Sequence, residues 1–259
     1  MTYCVAIAVK AGLVFVSDSR TNAGVDNVST YSKMHTFGNP GERQFVILSS
    51  GNLATTQGVI SQLKRDIQQY TPLNLMTVST MSDAADYLGA INVQQQEKHT
   101  GGGSHYEASF IIGGQIMGGK ASIYLVYPQG NHITTSKDTR YLQIGESKYG
   151  KPILDRILSS GVSLETAALC GLVSMDSTMR SNITVGPPIE VMVYEANSFV
   201  LQRQYRFTDD SDYLRELKRN WDIKLKEAFN SLPPIAWSSN WDSQGAEQQY
   251  QPNQEESGN

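Results

Sequence analysis

Residues 2–20 read TYCVAIAVKAGLVFVSDSR, and this stretch decides the fold. From Tyr3 to Val9 the apolar side chains alternate between large and small, which is typical of a strand buried on both faces. A turn is predicted at 10–12, and the apolar run 13–16 indicates a second strand that ends in polar residues. The sequence therefore predicts an antiparallel hairpin in this part of the chain.

Beyond the hairpin, predicted helices come in pairs between further strands. The spacing of apolar residues predicts helices at 59–70, 81–91, 150–158, 164–175 and 211–229. Strands are predicted at 44–49, 109–113, 122–127, 189–194 and 199–204. Parallel βαβ units place single helices between strands, so the helix pairs favour antiparallel sheets. The expected fold class is α+β, with two stacked antiparallel sheets between helical layers.

The length and composition suit one large globular domain. The chain has 259 residues, of which 39% are hydrophobic and 18% are charged. No linker composition precedes Pro233-Pro234, which predicts a single domain over residues 1–232. Residues 233–259 are rich in proline, glutamine and asparagine and contain little to bury, so we expect a flexible tail.

Charge and cysteine content argue against several classes of function. The formal net charge is −4, which provides no basic field for nucleic acid. No apolar run approaches the ~20 residues of a membrane helix. Cys4 and Cys170 are too few for a disulfide scaffold, and the four histidines show no metal-ligand spacing. We expect a cytoplasmic protein without a metal or cofactor, and no nucleic-acid or membrane partner.

Thr2 is the strongest candidate for chemistry. Removal of Met1 leaves a threonine that carries both a hydroxyl and a free α-amine. An α-amine has a pKa of about 7.7–8.0, so it can act as the base for the hydroxyl of its own residue. Threonine is also a common second residue without any catalytic role. The candidate therefore depends on its surroundings.

Two charged residues are predicted to lie near Thr2. Asp18 stands at the end of the second hairpin strand, so the register of the hairpin brings it close to Thr2. A buried carboxylate needs a cation, and Lys33 in the next loop is able to supply one. The alternative is that Asp18 and Lys33 are ordinary solvated charges.

Several motifs resemble one known family in the same order along the chain. The D-S-R-x-x-x-G element at 18–24, Lys33 and the junction Ser50-Gly51-Asn52 resemble the pattern of proteasome β-subunits, which are N-terminal-nucleophile hydrolases. The segments 109–114, 124–128 and 144–145 continue the resemblance to about Tyr205. Within this family, the sequence is most similar to the bacterial branch called Anbu.

The resemblance implies an αββα four-layer sandwich and a threonine peptidase. It implies that Thr2 is the nucleophile, that Asp18 and Lys33 tune it, and that the Gly51 N–H stabilises the oxyanion. A supporting group of Asp176, Ser147 and Ser181 is also implied, although Glu146 replaces the middle serine of the family's G-S-G. Thr21, Ser49 and Leu53 are implied to line a substrate pocket.

The implied reaction is hydrolysis of a peptide substrate through an acyl-enzyme on Thr2. The resemblance further implies self-association into a ring or spiral homo-oligomer, and it leaves any unfoldase partner open. A small-amide hydrolase and a catalytically silent ring subunit are the two alternatives, since related enzymes share the fold without sharing the substrate.

A second motif favours a different function. Residues 114–121 read GQIMGGKA, which differs at one position from the phosphate-binding pattern G-x-x-x-x-G-K-[ST]. Ala121 lacks the hydroxyl that binds Mg²⁺, and a predicted strand follows where the pattern needs a helix. We interpret this segment as a hairpin turn.

Overall fold

The computed structural model describes residues 2–22, 28–98 and 106–235. Residues 23–24 of the D-S-R-x-x-x-G element lie outside these ranges. Most of the predicted tail, from residue 236 onward, does so as well, and its flexibility stays a prediction.

The described residues form strands and five helices. The strands are β1 (Tyr3–Val9), β2 (Gly12–Asp18), β3 (Arg20–Asn22), β4 (Val28–Thr30), β5 (Met34–Asn39), β6 (Arg43–Gly51), β7 (Ala108–Ile116), β8 (Ser122–Val126), β9 (His132–Thr134), β10 (Tyr141–Gly145), β11 (Ile189–Glu195) and β12 (Arg203–Phe207). The helices are α1 (Leu53–Gln68), α2 (Met81–Glu97), α3 (Lys151–Ile157), α4 (Leu164–Ser181) and α5 (Asp212–Asn230).

Two five-stranded antiparallel sheets form the centre of the fold. The strand order is β10-β1-β2-β11-β12 in the first sheet and β5-β6-β7-β8-β9 in the second, and β3 pairs with β4 separately. Helices α1 and α2 pack on the second sheet, and α3 and α4 pack on the first. The predicted αββα sandwich of the α+β class is confirmed.

The alternation seen in β1 sorts its side chains between two cores. Tyr3, Val5 and Ile7 pack toward the helices of the first sheet, whereas Cys4 and Ala6 belong to the core between the sheets. Small residues on this inner face leave room for Phe15, which is fully buried. A Cβ on Gly113 of the opposite sheet would lie 2.7 Å from the Phe15 ring. The sheets therefore approach each other closely where large and small residues alternate.

The contacts within the chain divide it into two compact units. The first ends at Lys218 and the second begins at Arg219, so the division falls inside α5. Leu214 and Leu217, at the start of α5, pack against the core of the first sheet and its helices. Among the described residues, no helix combines the length and hydrophobicity that crossing a membrane requires.

The structure corrects several predicted boundaries. The helix predicted at 59–70 begins earlier, at Leu53, and the helix predicted at 81–91 continues to Glu97. The strand predicted at 199–204 lies later, as β12 (Arg203–Phe207), because Phe199 has a φ of 50° and interrupts the extended chain. The helix predicted at 164–175 continues to Ser181, so Asp176 and Ser181 are helical. Strands β3, β4, β5, β9 and β10 were not predicted.

Candidate active site

Hydrogen bonds on both sides of β1 hold Thr2 in place. Tyr3 pairs with Gly145 of β10, and the ladder continues because the Glu146 N–H donates to the Thr2 carbonyl at 2.7 Å. On the other side, the Tyr3 N–H donates to Asp18 Oδ1 at 2.9 Å. Thr2 is therefore anchored through its own carbonyl and through the next backbone N–H.

The Tyr3 side chain adds a buried anchor directly after Thr2. Its hydroxyl lies 2.5 Å from Ser174 Oγ and accepts a hydrogen bond from Gln143 Nε2 at 3.0 Å. Ser174 Oγ in turn donates to the Gly150 carbonyl at 3.0 Å. Burial raises the pKa of Tyr3, so the phenol stays protonated and able to donate. This network ties the start of β1 to helix α4.

Asp18 and Lys33 form a buried ion pair. Lys33 Nζ lies 2.8 Å from Asp18 Oδ1 and also donates to the Arg20 carbonyl at 2.6 Å. The Asp18 side chain is fully buried and the Lys33 side chain is 9% exposed. Burial raises the pKa of Asp18, while Lys33 and the N–H groups of Tyr3 and Gly186 act in the opposite direction. The predicted pairing of Asp18 with Lys33 is present in the structure.

One cleft gathers most of the predicted site residues. It has a volume of about 690 Å³. The predicted residues that line it are Thr2, Thr21, Lys33, Ser49, Gly51 and Leu53. Asp18 lies behind Lys33, so the proposed nucleophile, its charge partners and the proposed oxyanion donor are placed together.

Gly51 occupies the junction between β6 and α1. Its φ is 112°, and a Cβ there would lie 2.4 Å from the Glu107 carbonyl oxygen. Only glycine fits this conformation without strain. Asn52 then caps α1 by accepting a hydrogen bond from the Thr55 N–H at 3.1 Å. The backbone of Gly51 is therefore presented to the cleft at the start of a helix.

Three predicted supporting residues lie away from the described lining of the cleft. Asp176 is buried on α4, Ser181 is exposed at the end of α4, and Ser147 is exposed after β10. Glu146 is buried, and its carboxylate accepts hydrogen bonds from the Ser147 and Lys148 N–H groups at 3.0 Å each. The roles of Ser147, Asp176 and Ser181 stay predictions.

The cleft also contains residues that the sequence analysis did not name. Beyond the predicted Leu53, helix α1 contributes Thr56, Gln57, Ile60, Ser61 and Lys64, and β5 and the loop before it contribute His35 and Tyr31. The α1 residues follow helical spacing, so they share one face of the helix. Helical periodicity identifies such a face, but it does not say that this face meets β5.

Comparison with known proteins identifies the family. The sequence profile of the family described as Proteasome subunit matches residues 2–194. The chain belongs to the proteasome-subunit family. The predicted resemblance is confirmed, and the match covers the hairpin, both sheets up to β11 and the cleft.

Solved structures place this proteasome-family subunit close to Anbu proteins. Anbu (ancestral beta-subunit) from Yersinia bercovieri is 46% identical over 90% of this chain and 99% of that chain, with a TM-score of 0.87. The helical assembly of the Anbu complex from Pseudomonas aeruginosa is 44% identical over 92% of this chain and 100% of that chain, with a TM-score of 0.87. No curated protein matches the chain significantly in sequence.

In this proteasome-family subunit, neither the phosphate-loop motif nor the Cys4 thiol has the features that its chemistry would require. Residues 114–121 span the end of β7, a tight turn and the residue before β8, without the helix that a phosphate loop needs. The hairpin-turn interpretation is confirmed. Cys4 is fully buried, and burial raises the pKa of its thiol, so it is a poor nucleophile.

Gly145→Ala is expected to displace Thr2. A Cβ at Gly145 would lie 2.0 Å from the Thr2 carbonyl oxygen, and the φ of 82° adds strain. The hydrogen bond from the Glu146 N–H to Thr2 is then lost. We expect the backbone amide of Glu146 to exchange its hydrogen about tenfold faster, as measured by hydrogen exchange and mass spectrometry.

Gly161→Ala is the matched control for this change. No heavy atom lies within 4 Å of a Cβ at Gly161, so its exchange at Glu146 is expected to equal that of the unmodified chain. Unchanged exchange in Gly145→Ala would show that Thr2 is not held by this ladder.

Proposed function

We propose that this proteasome-family subunit is a threonine peptidase, active once Met1 is removed. The observation that carries the proposal is the cleft in which Thr2, Lys33 and Gly51 meet, with Lys33 paired to buried Asp18. A hydroxyl nucleophile, a cation and a backbone N–H at a strand-to-helix junction are the parts that acyl transfer needs. No metal or cofactor takes part in the proposed reaction.

In the proposed mechanism the free α-amine of Thr2 accepts the proton of its own hydroxyl. The resulting Oγ1 attacks the carbonyl carbon of the peptide bond and forms a tetrahedral oxyanion, which accepts a hydrogen bond from the Gly51 N–H. The amine returns the proton to the leaving nitrogen, and the C–N bond breaks to give an ester on Thr2. Water then attacks the ester with the amine again as the base.

Lys33 contributes through its charge. The ammonium favours the alkoxide of Thr2 and disfavours protonation of the nearby α-amine, so it helps both the nucleophile and the base. Asp18 holds the ammonium by accepting its hydrogen bond at 2.8 Å. The Arg20 carbonyl accepts a second hydrogen bond from the same ammonium at 2.6 Å. These two hydrogen bonds therefore hold the Lys33 ammonium in a defined position at the wall of the cleft.

The shape of the cleft favours a peptide over a small amide. Its volume of about 690 Å³ lies in the range of sites that enclose drug-sized ligands. The cleft continues along the face of α1 from Leu53 to Lys64, well beyond the atoms of one amide group. Thr21 of β3 and Ser49 of β6 line the same cleft, so in the proposed complex an extended peptide would lie beside these two strands.

The proposal is tested by an electrophilic peptide that reacts with the hydroxyl and amine of one N-terminal residue. Mass spectrometry of the purified protein first establishes whether Met1 is absent. We expect the adduct on Thr2 and turnover of a peptide library. A chain that lacks Met1 but gives neither adduct nor turnover would favour the catalytically silent subunit. Turnover of small amides alone would favour the small-amide hydrolase.

We also propose that the subunit self-associates into a ring or spiral homo-oligomer. The related Anbu complex from Pseudomonas aeruginosa is described as a helical assembly. In α5 the apolar side chains of Ile223, Leu225 and Phe229 are 46%, 53% and 72% exposed. Such apolar surface is typical of a contact site. Light scattering at micromolar concentration is expected to show a mass of several subunits, and a monomer alone would contradict the proposal.

A further inference from the structure

The charges that line the cleft are of one sign. Arg20, Lys33 and Lys64 line it together with His35, and no aspartate or glutamate is among the described lining residues. The whole chain has a net charge of −4, so the positive charge of the cleft is opposite in sign to that of the chain as a whole. A cleft lined by one sign of charge attracts ligands of the other sign.

Two of the three cations already have partners. Lys33 is paired with Asp18, and the Arg20 guanidinium donates to the Ile183 carbonyl at 2.9 Å. Behind the lining, Glu190 is buried and accepts a hydrogen bond from Ser32 Oγ at 2.7 Å. Lys64 is exposed and forms no ion pair with any residue in the described ranges. Lys64 is therefore the cation that a ligand can reach.

His35 stands beside Lys64 in the same part of the cleft. Burial and the Lys64 ammonium lower the pKa of His35 to about 4, so its ring is neutral near pH 7. A neutral imidazole has one N–H to donate. Within the described part of the chain, no hydrogen bond engages this ring. An ammonium and a free N–H side by side match the two oxygens of a carboxylate.

The position of Lys64 separates it from the reacting carbonyl. Leu53 begins α1 beside Gly51, and Lys64 lies on the same face about three turns later, a rise of about 16 Å. Because the rise of an extended peptide is about 3.3 Å per residue, this separation corresponds to about five substrate residues. Lys64 is therefore beside a residue some way along the substrate from the scissile bond. Its charge therefore bears on substrate choice and not on the acyl transfer.

We propose that the cleft selects peptides with a glutamate or aspartate within about five residues of the scissile bond, bound by Lys64 and His35. This inference rests on the proposed peptidase function and names its substrate class. Lys64 and His35 are specificity-determining residues in it, and they touch the acidic side chain rather than the reacting atoms.

The test uses pairs of peptides that differ only by glutamate or glutamine at one position. The pairs cover each of about five positions on either side of the cleaved bond. For the chain lacking Met1, kcat/KM is expected to be about fivefold higher for glutamate at one of these positions. In Lys64→Glu that ratio is expected to fall below one. Arg65→Glu is the matched control, since Arg65 is the next residue of α1, is exposed and does not line the cleft. It is expected to keep the preference.

Binding measurements separate this inference from the proposed function. In Thr2→Ala, which cannot turn over, fluorescence polarisation with labelled glutamate and glutamine peptides is expected to show the same preference and its loss with Lys64→Glu. Hydrolysis without a preference in any position would overturn the inference and keep the peptidase. A binding preference without any hydrolysis would keep the inference and overturn the peptidase. Absence of both would overturn both.

Discussion

Thr2→Ala is expected to lower peptide hydrolysis by at least about 1,000-fold, because it removes the hydroxyl that forms the acyl-enzyme. Thr2→Ser keeps a hydroxyl and an α-amine and is expected to retain part of the rate. The backbone contacts of residue 2 do not depend on its side chain, since the Glu146 N–H bonds to the carbonyl. Thermal unfolding of both variants is therefore expected to match that of the unmodified chain. The assay is hydrolysis of a fluorogenic peptide.

Blocking the N-terminus tests the role of the α-amine as the base in the same assay, independently of the hydroxyl nucleophile. A retained Met1 or an N-terminal tag converts the α-amine of Thr2 into an amide, which is not basic. The blocked form keeps the hydroxyl and is expected to be inactive until a protease trims it to Thr2. A tag after Glu256 serves as the control and is expected to be harmless. Equal rates before and after trimming would place the base elsewhere and withdraw the threonine-peptidase proposal.

Lys33→Ala is expected to lower hydrolysis by about 100-fold or more through loss of the charge beside Thr2. The change also leaves Asp18 buried without its cation, which costs about 3–5 kcal/mol of folding free energy. Stability and activity therefore have to be measured together. Lys33→Arg is not expected to restore the rate, because a planar guanidinium does not replace a compact ammonium held at 2.8 Å and 2.6 Å.

The double variant Asp18→Asn with Lys33→Ala distinguishes a chemical role from a structural one. It removes the unpaired buried charge, so it is expected to regain most of the stability lost in Lys33→Ala. Activity is expected to stay low because the cation is still missing. Recovery of the rate along with the stability would show that Lys33 acts only by keeping the fold intact.

The sequence allowed the hairpin and the layered fold to be predicted, because β1 alternates large and small apolar side chains and β2 contains a continuous apolar run. The position of Asp18 followed from the hairpin register, and its pairing with Lys33 followed from the cost of a buried carboxylate. Strand β10 could not be predicted because it has only five residues and the polar Gln143 interrupts its apolar pattern. Its place beside β1 is a tertiary fact that no local pattern contains.

The distal part of the cleft was beyond sequence reasoning for a similar reason. His35 and Lys64 are 29 positions apart in the numbering and lie on a strand and a helix. The sequence around each residue contains no signal of a binding site. They line the same cleft only because α1 packs on the sheet at β6, next to β5. The strand predicted at 199–204 begins only at Arg203. Phe199 has a positive φ, a conformation that its side chain does not predict.

Chain ends usually fray, but the end that carries Thr2 continues into an interior strand. Strand β1 lies between β10 and β2, and the Tyr3 hydroxyl is bonded to α4 through Ser174. Loosening residue 2 breaks the hydrogen bond from the Glu146 N–H, and the contacts of Tyr3 directly after it limit how far the opening can spread. We therefore expect the sheet to hold the proposed nucleophile in place even after removal of Met1 leaves it covalently attached on one side only.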